Sequence, residues 1–161
     1  MKYINVARKY KTIVDDEEFE YLNTYKWTLK KGYAVAKLCN RSGFLMMHKF
    51  IVFYPKSLTI DHINRNKLDN RKSNLRVCTQ LQNNFNKPRQ RNNESGYKGV
   101  CWDKKAQKWR AAISVNRRYF WLGYYDSKNQ AAMAYNLAAK KHHREFACLN
   151  EIPQRNYALP S

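Results

Sequence analysis

Hydrophobic residues in the first third of the chain occur in short β-prone runs that alternate with polar turns. Residues 11–14 form such a run, and the acidic residues after it favour a short helix over residues 16–22, since acids stabilise a helix N-terminus. Residues 27–29 and 33–36 predict the two strands of a hairpin with Gly32 in its turn. We interpret the acidic run as a solvated helix start in preference to a metal site.

The middle of the chain changes from an apolar run to a long polar stretch. Residues 58–60 predict a strand that leads into a polar segment rich in turn formers. Ser73 is a suitable N-cap for a following helix whose apolar positions include Leu75 and Leu81. We therefore expect a ββα-like arrangement, in which the partner of the strand comes from residues 45–52.

The last third of the chain predicts a sheet followed by a helix. Three β-rich runs are separated by polar turns, as in an antiparallel meander. These runs are residues 97–102, 108–115 and 118–124. Asp126 or Ser127 can cap a helix through residues 130–139, where small alanines share a face and allow close packing on the sheet. The predicted fold class is α+β.

Alternation along the middle strand of this sheet separates two faces. Trp109, Ala111 and Ile113 are predicted to point toward the helix, because successive residues of a strand point to opposite sides. The residues predicted to face outward are Lys108, Arg110, Ala112 and Ser114, joined by Tyr119 and Trp121 of the third strand. A basic sheet face that carries aromatic side chains suits a groove of duplex DNA.

The charge of the chain indicates its partner. The sequence holds 31 Lys and Arg against 12 Asp and Glu, a formal net charge of +19, and a polyanion would neutralise this excess. Hydrophobic residues make up 43% and aromatic residues 14%, too many for a disordered basic tail. The polar segment 84–95 is expected either to track the DNA backbone or to act as a passive spacer.

Several other classes of protein are disfavoured. The cysteines are scattered without a C-x-x-C pair, which argues against a structural zinc site and against a disulfide framework. The N-terminal segment lacks the apolar region of a secretory signal, and the longest apolar run, residues 50–54, is too short to span a membrane. We expect an intracellular, cytoplasmic protein that does not bind membranes.

A candidate catalytic set lies between residues 61 and 83. Asp61 offers a carboxylate oxygen and Asn83 an amide oxygen, the ligands that a hard divalent cation prefers. His62 is suited to take a proton from water, because the pKa of an unperturbed histidine is about 6.5. Asn74 can brace the loop that presents His62. Spacing alone also fits a surface Asp–His pair and an asparagine that only caps a helix.

The sequence resembles the HNH family of ββα-metal endonucleases, and phage-type homing endonucleases in particular. The matching segments are residues 47–51, 60–76 and 79–83. The resemblance implies a metal held by Asp61 and Asn83, His62 as general base and Asn74 as the loop brace. It implies Mg²⁺ (or Mn²⁺) as cofactor, and products with a 3′-hydroxyl and a 5′-phosphate. Asparagine at position 83 replaces a frequent histidine and matches a variant of the family, and His48 is expected to be structural.

The C-terminal part resembles the plant ethylene-response-factor DNA-binding domain (the Apetala type). The matching segments are residues 97–100, 121–123, 131–136 and 147–150. The resemblance implies a three-stranded antiparallel sheet, packed on one helix, that enters the major groove with Lys98 and Trp121 at contact positions. Cys101 and Asp103 stand where arginines are usual, so we expect a different base preference.

These features together predict a metal-dependent DNA endonuclease that nicks one strand per active site, with a monomer favoured. The expected parts are a nuclease domain with a β-rich N-terminal extension (1–83), a basic polar linker (84–95), an Apetala-type DNA-binding domain (96–152) and a tail (153–161). The residues expected to bind double-stranded DNA are Lys87, Arg89, Arg91, Lys98, Trp102, Arg110, Ser114, Arg117, Tyr119 and Trp121. The alternatives are a non-catalytic, sequence-specific DNA-binding regulator on a degenerate nuclease fold, and an RNA-binding protein.

Overall fold

The computed structural model describes residues 1–37 and 43–153. The chain divides into two units, Met1–Asn84 and Phe85–Ser161, and both combine strands with helices, so the fold class is mixed α+β. Within the described ranges, no helix is long and apolar enough to cross a membrane. Cys78, Cys101 and Cys148 are free thiols. Cys39 and residues 154–161 of the predicted tail lie outside the described residues.

The N-terminal sheet has the strand order β2-β1-β3-β4-β5 in the part of the chain that the structure describes. Its strands are β1 (Lys2–Val6), β2 (Tyr10–Val14), β3 (Trp27–Lys30), β4 (Tyr33–Lys37) and β5 (Phe44–Met46). Neighbouring strands are antiparallel except β1 and β3, which pair in parallel. The predicted hairpin with Gly32 in its turn is confirmed, and this glycine has φ +83°, which L-residues rarely adopt.

Two short helices accompany the N-terminal sheet. The predicted acidic helix is confirmed as α1 (Asp16–Asn23), and α2 (Met47–Ile51) follows β5 directly. The indole N–H of Trp27 donates to the Leu22 carbonyl at 2.7 Å and ties the end of α1 to β3. The buried core of this unit includes Ile4, Val6, Val14, Leu22, Trp27, Ala34, Ala36 and Met47.

A separate hairpin carries the candidate catalytic set. It consists of β6 (Thr59–His62) and β7 (Leu75–Cys78), joined by a loop that ends in a short 3-10 turn (Lys72–Asn74) and followed by helix α3 (Gln80–Phe85).

Two predictions about this region are wrong. Leu75 does not continue a helix capped by Ser73, because residues 75–78 pair with β6 and the helix begins only at Gln80. The partner of β6 is therefore β7 and not residues 45–52, which lie in β5 and α2. Cross-strand pairing outweighs the local helix signal here.

The C-terminal unit contains the predicted antiparallel meander and helix. Its strands are β8 (Val100–Asp103), β9 (Lys108–Val115) and β10 (Arg118–Tyr125), in the order β10-β9-β8. Helix α4 (Lys128–His143) begins with a capping box, in which Ser127 accepts from the helix backbone and Gln130 accepts from the Ser127 N–H at 3.2 Å. The cap that was predicted at Asp126 or Ser127 is therefore Ser127.

The core of the C-terminal unit lies between α4 and one face of the sheet. Ala111 and Ile113 of β9 are buried there, as the alternation predicts, and α4 contributes Ala131, Tyr135 and Ala139. Helix and sheet approach closely because alanines line the contact. The opposite face of β9, which carries Arg110 and Ser114, is left uncovered by this core.

Candidate functional site

Asp61 and His62 are neighbours at the end of β6, and each is 5% exposed. Adjacent residues of a strand point to opposite sides, so the carboxylate and the imidazole have different surroundings. In the register of the hairpin, Asp61 lies opposite Arg76 and His62 lies opposite Leu75. The strand thus holds both side chains in a protein environment that restricts water.

The Asp61 carboxylate faces a guanidinium across the hairpin. Arg76 donates from Nε and Nη2 to the Oδ2 atom of Asp61, at 2.9 and 2.7 Å. Burial of a carboxylate is tolerated when such charge-assisted hydrogen bonds satisfy it. Arg76 belongs to the motif but has no predicted role, because the sequence places it in a helix and not opposite Asp61.

The His62 ring lies beside the Asn70 side chain and two other rings. Its Nε2 atom is 3.1 Å from Oδ1 of Asn70, and its ring centroid is 5.1 Å from that of His48 and 6.0 Å from that of Tyr33. Burial lowers the pKa of His62 below its ordinary value, although the hydrogen bond with Asn70 and the charge of Asp61 oppose the shift. The imidazole is therefore neutral near pH 7 and able to accept a proton.

His48 is also a buried neutral ring. Burial, together with the proximity of His62 and Lys49, lowers the pKa of His48 to about 3. Its ring centroid is 5.1 Å from that of Tyr33, and α2 holds it in place. These contacts agree with the structural role predicted for His48.

Asn74 joins the two ends of the loop between β6 and β7. Its Oδ1 accepts from the Asn64 N–H at 2.9 Å, and its Nδ2 donates to the Asp69 carbonyl at 2.8 Å. Its backbone carbonyl accepts from the Ile63 N–H at 2.9 Å, directly after His62. The amide thus links Asn64 and Asp69 within the loop, and its role as a brace for His62 stays a prediction.

Asn83 lies on α3, one turn beyond Thr79, whose carbonyl accepts the Asn83 N–H at 3.0 Å. Burial raises the pKa of the nearby Cys78 thiol, the negative charge of Asp61 raises it further, and the charge of Arg76 and a hydrogen bond with the Asn83 backbone lower it. This contact involves the backbone of Asn83 and not its side-chain amide. A carboxylate and a carboxamide form a donor set that fits a hard divalent cation.

Acidic residues of the N-terminal unit anchor the end of the same loop. The Lys72 N–H donates to Oδ2 of Asp15 at 2.7 Å, and the Lys72 ammonium pairs with Glu17 at 3.2 Å and with the buried Glu18. These carboxylates raise the pKa of Lys72. The acidic run is thus a helix start that also fixes the loop between β6 and β7. Within the described residues, no three His, Cys, Asp or Glu side chains form a metal-binding group.

In the C-terminal unit, strand register gathers most of the predicted sheet residues on one face. Tyr119 pairs with Ser114, Trp121 with Ala112 and Tyr124 with Arg110. Tyr119 and Trp121 are 85% and 65% exposed, so large aromatic surfaces lie on the face that carries Arg110. Exposed aromatic rings of this size beside cations are typical of interaction surfaces.

Two of the predicted DNA contacts lie apart from this face. Trp102 pairs with Trp109, whose side lies toward α4, and their rings make an edge contact with centroids 5.1 Å apart. The Lys98 ammonium donates to the backbone carbonyls of Phe85 and Lys87, both at 2.6 Å, so it faces the preceding segment of the same unit.

The remaining predicted contacts are exposed cations outside the strands. Arg117 occupies the turn between β9 and β10 with φ +65°. Lys87, Arg89 and Arg91 are exposed in the segment before the sheet. The structure therefore leaves these four side chains accessible.

Comparison with known proteins identifies both parts of the chain. A model of the HNH endonuclease family matches residues 54–85, and a model of the AP2 domain matches residues 95–145. An uncharacterized HNH endonuclease of Acanthamoeba polyphaga mimivirus is 32% identical over 143 residues, which cover 84% of this chain and 72% of the relative. The chain belongs to the HNH endonuclease family. Protein 3.8 of Escherichia phage T7 is 36% identical over 61 residues, 38% of this chain and 50% of that protein. No solved structure matches.

The HNH match, residues 54–85, contains the candidate catalytic residues together with β6, β7 and α3. The AP2 match, residues 95–145, contains the meander and α4, the same part of the chain that resembles the Apetala-type domain. The N-terminal sheet lies outside both family models. Its contacts with the HNH loop are therefore a feature of this chain that neither family model describes.

Three residues near the sites are absent from the sequence-based predictions. Asn70 contacts His62 from a loop whose shape depends on distant strands, and Arg76 contacts Asp61 through an unpredicted pairing. Tyr124 joins the aromatic face because an irregularity in β10 between Trp121 and Gly123 shifts the alternation by one residue. Simple alternation from Trp121 predicts position 123 on this face, so the pattern gives no signal for Tyr124.

Proposed function

We propose that this HNH family member is a metal-dependent DNA endonuclease that nicks one strand per active site. The observation that carries the proposal is the neutral, buried His62 beside Asp61 at the end of a strand that belongs to the HNH segment. In this proposal β6, β7 and α3 form a ββα-metal unit, and the loop held by Asn74 presents His62 to the substrate.

The chemistry assigned to His62 is general base catalysis. The neutral imidazole takes a proton from water, the water oxygen bonds to phosphorus, and the bond from phosphorus to the 3′ oxygen breaks, with that oxygen taking up a proton from solvent. The products are a 3′-hydroxyl and a 5′-phosphate. Asn74 keeps the backbone after His62 in place through its hydrogen bonds with Asn64 and Asp69, so the ring stays directed at the substrate.

The residues proposed to hold a divalent cation are Asp61 and Asn83. Mg²⁺ (or Mn²⁺) bound there would stabilise negative charge on the phosphate and on the leaving oxygen. The chemistry of the two groups, one carboxylate and one carboxamide, supports the assignment. Arg76 has to share the Asp61 carboxylate with the cation or move away from it.

The C-terminal unit is proposed to bind double-stranded DNA through its uncovered sheet face. Arg110, Ser114, Tyr119 and Trp121 would meet bases and sugar–phosphate, because a sheet face of this width fits the major groove. The exposed Arg89, Arg91 and Arg117 would contact phosphates, with Lys87 beside them. The proposed parts are nuclease (1–83), linker (84–95) and DNA-binding domain (96–152), working as a monomer.

One observation favours a second candidate, a non-catalytic DNA-binding regulator on a degenerate nuclease fold. The ion pair between Arg76 and Asp61 satisfies the carboxylate without a metal. Such a protein would use the same sheet face and would bind DNA without cutting it.

The test uses supercoiled plasmids that carry candidate target sites, incubated with the full chain in Mg²⁺, in Mn²⁺ or in EDTA. We expect conversion to the open circular form with either metal and none in EDTA. DNA ligase should reseal the product, because ligation requires a 3′-hydroxyl beside a 5′-phosphate. Binding in a gel shift without cutting in any divalent ion would establish the regulator instead.

A matched pair of variants on α3 tests the metal assignment. Asn83→Ala should raise the Mg²⁺ concentration for half-maximal nicking by about tenfold, a typical loss for one oxygen ligand or its support. Asn84→Ala, the exposed neighbour, should leave that concentration unchanged. Equal effects of the two substitutions would contradict the role of Asn83.

A further inference from the structure

The contact between His62 and Asn70 raises the question of which ring nitrogen carries the proton. A neutral imidazole has one N–H donor and one acceptor nitrogen, and the partners of the ring determine the arrangement. The partner of Nε2 is the Asn70 side chain, 1% exposed, at 3.1 Å. The arrangement on His62 therefore follows from the orientation of the Asn70 amide.

Thr12 of β2 determines that orientation. Its hydroxyl has a single proton, and the Leu68 carbonyl, 2.7 Å away, can only accept, so the proton lies toward Leu68. The Met47 sulfur, 3.7 Å from the Thr12 oxygen, is a weaker and more distant acceptor for this proton than the carbonyl. The Thr12 oxygen then accepts from the Asn70 side chain at 2.7 Å. Only the Nδ2 group of Asn70 can donate, so Oδ1 of Asn70 is turned toward His62.

Two further observations support this orientation. The sulfur of Met47, a weak acceptor, lies 3.5 Å from Nδ2 of Asn70. Thr12 and Met47 are fully buried, so water cannot replace either partner if the amide turns over. The backbone around the amide is also fixed, because the Asn70 N–H donates to the Ile13 carbonyl and the Ile13 N–H donates to the Leu68 carbonyl, both at 2.8 Å.

We propose that Thr12 and Asn70 are positioning residues that hold His62 in the tautomer with its proton on Nε2. Nδ1 is then the nitrogen that takes the proton from water, and this transfer makes Nδ1 an N–H group. The inference rests on the proposed role of His62 as general base. It assigns a catalytic purpose to the N-terminal sheet, since Thr12 lies outside residues 54–85, the part matched by the HNH family model.

The first test is NMR spectroscopy of the full chain with ¹⁵N-labelled histidine, near neutral pH. Long-range ¹H–¹⁵N correlations distinguish the two tautomers, and His62→Ala and His48→Phe assign the signals. We expect the Nε2–H pattern for His62 in the unsubstituted protein. The Nδ1–H pattern would overturn the proposal, whatever the nuclease activity, and this result needs no variant that fails to fold.

The second test compares substitutions at Thr12. Thr12→Val keeps the shape and removes the hydroxyl, so we expect mixed tautomers at His62 and a loss of about 10- to 100-fold in the single-turnover nicking rate at saturating DNA. Thr12→Ser restores the hydroxyl and should restore both the spectrum and the rate. Gel-shift affinity should be the same for all three proteins.

The control is Thr28→Val, which removes an exposed threonine hydroxyl from β3 of the same sheet. It should change neither the His62 spectrum nor the rate. A purely structural Thr12 would lower the melting temperature without altering the tautomer, and that outcome contradicts the inference. If the tautomer is as proposed while His62→Ala still nicks DNA, the proposed function fails and the positioning of the ring stands.

Discussion

Arg76 and Asp61 form an ion pair across the β6–β7 hairpin, with two guanidinium N–H groups on one carboxylate oxygen at 2.7 and 2.9 Å. The side chains are 16% and 6% exposed, so the pair is largely shielded from solvent. A cation that uses Asp61 must therefore compete with Arg76 for the same carboxylate. Under the proposed function, the pair would make metal binding and the stability of the hairpin interdependent.

Substitution of Arg76 tests this competition. Arg76→Gln should lower the free energy of unfolding in EDTA by about 1–3 kcal/mol, because it leaves a buried carboxylate without its charged partner. Mg²⁺ should then raise the melting temperature of the variant more than that of the unsubstituted protein, since the cation no longer competes with a guanidinium. Differential scanning calorimetry with and without Mg²⁺ measures both effects.

The control for this experiment is Lys9→Gln, which removes an exposed cation from the same unit. Its response to Mg²⁺ should match that of the unsubstituted protein. An Arg76→Gln protein whose melting temperature does not respond to Mg²⁺ would contradict a metal site at Asp61.

The burial of His48 makes the free energy of unfolding depend on pH. Burial lowers the pKa of His48 in the folded protein to about 3, below the ordinary 6.5 of an unfolded chain. The unfolded chain therefore binds more protons between these values, so stability is complete above the unfolded pKa and falls as pH decreases. The loss from this group is at most about 1.4 kcal/mol per pH unit.

Replacing this imidazole should reduce the acid sensitivity. His48→Phe retains a buried ring that cannot take up a proton, so its unfolding free energy should fall less between about pH 7 and pH 5. Urea titrations at several pH values measure the slope. His142→Phe, at an exposed histidine, should leave the slope unchanged, and equal slopes in all three proteins would show that His48 is not buried as a neutral ring.

Two tryptophans lie on opposite sides of the C-terminal sheet, and their substitution distinguishes the proposed DNA contact from packing within the unit. Trp121 is 65% exposed on the face with Arg110, whereas Trp102 is 40% exposed and packs against Trp109. Trp121→Ala should weaken DNA binding by about 2 kcal/mol, as expected for an aromatic residue central to an interface. Trp102→Ala should lower the melting temperature and leave the affinity of the folded protein nearly unchanged.

Fluorescence anisotropy on target-site DNA gives both affinities, and a salt series adds a further check. If Arg110 binds the DNA backbone, Arg110→Ala should reduce the slope of log Kd against log salt by about 1, the change expected for the loss of one phosphate contact. A larger loss of affinity from Trp102→Ala than from Trp121→Ala would mean that DNA binds the other side of the sheet.

Substitution of Gly99 tests how closely α4 packs on the sheet. It has φ +76°, and a Cβ atom there would overlap the Tyr135 ring and lie 2.7 Å from the Ala112 carbonyl. Gly99→Ala should therefore cost about 2–4 kcal/mol of stability. Gly96→Ala is the matched control, because Gly96 has φ +82° with nothing within 4 Å of the added atom.

The control isolates the steric part of the effect. Gly96→Ala should cost about 1 kcal/mol, since only the backbone conformation opposes it. Thermal unfolding of both variants measures the difference. Equal costs at the two positions would contradict the close approach of Tyr135 to the sheet.

Features that depend on local sequence are predictable here. The hairpin turn at Gly32, the helix cap at Ser127 and the two faces of β9 follow from turn chemistry, capping and alternation, and the structure confirms them. The residue types at Asp61, His62, Asn74 and Asn83 also indicate the HNH segment from the sequence alone.

Features that depend on distant pairing are not predictable from the same signals. Residues 75–78 carry a helix-compatible pattern, and only their ladder with β6 makes them a strand. The contact of Thr12 with Asn70 joins residues 58 positions apart, and the sequence around either gives no indication of it. The partners of Asp61 and His62 therefore emerge only from the tertiary structure.

The central claim is that His62 is the general base of a DNA nuclease, and one comparison tests it directly. Single-turnover nicking of a target plasmid in Mg²⁺ is measured for the unsubstituted protein and for His62→Ala, with gel-shift affinity determined for both. We predict a loss of at least about 100-fold in rate with unchanged DNA affinity, the contribution expected of a positioned general base. A His62→Ala protein that binds the plasmid and nicks it at the normal rate would contradict the account.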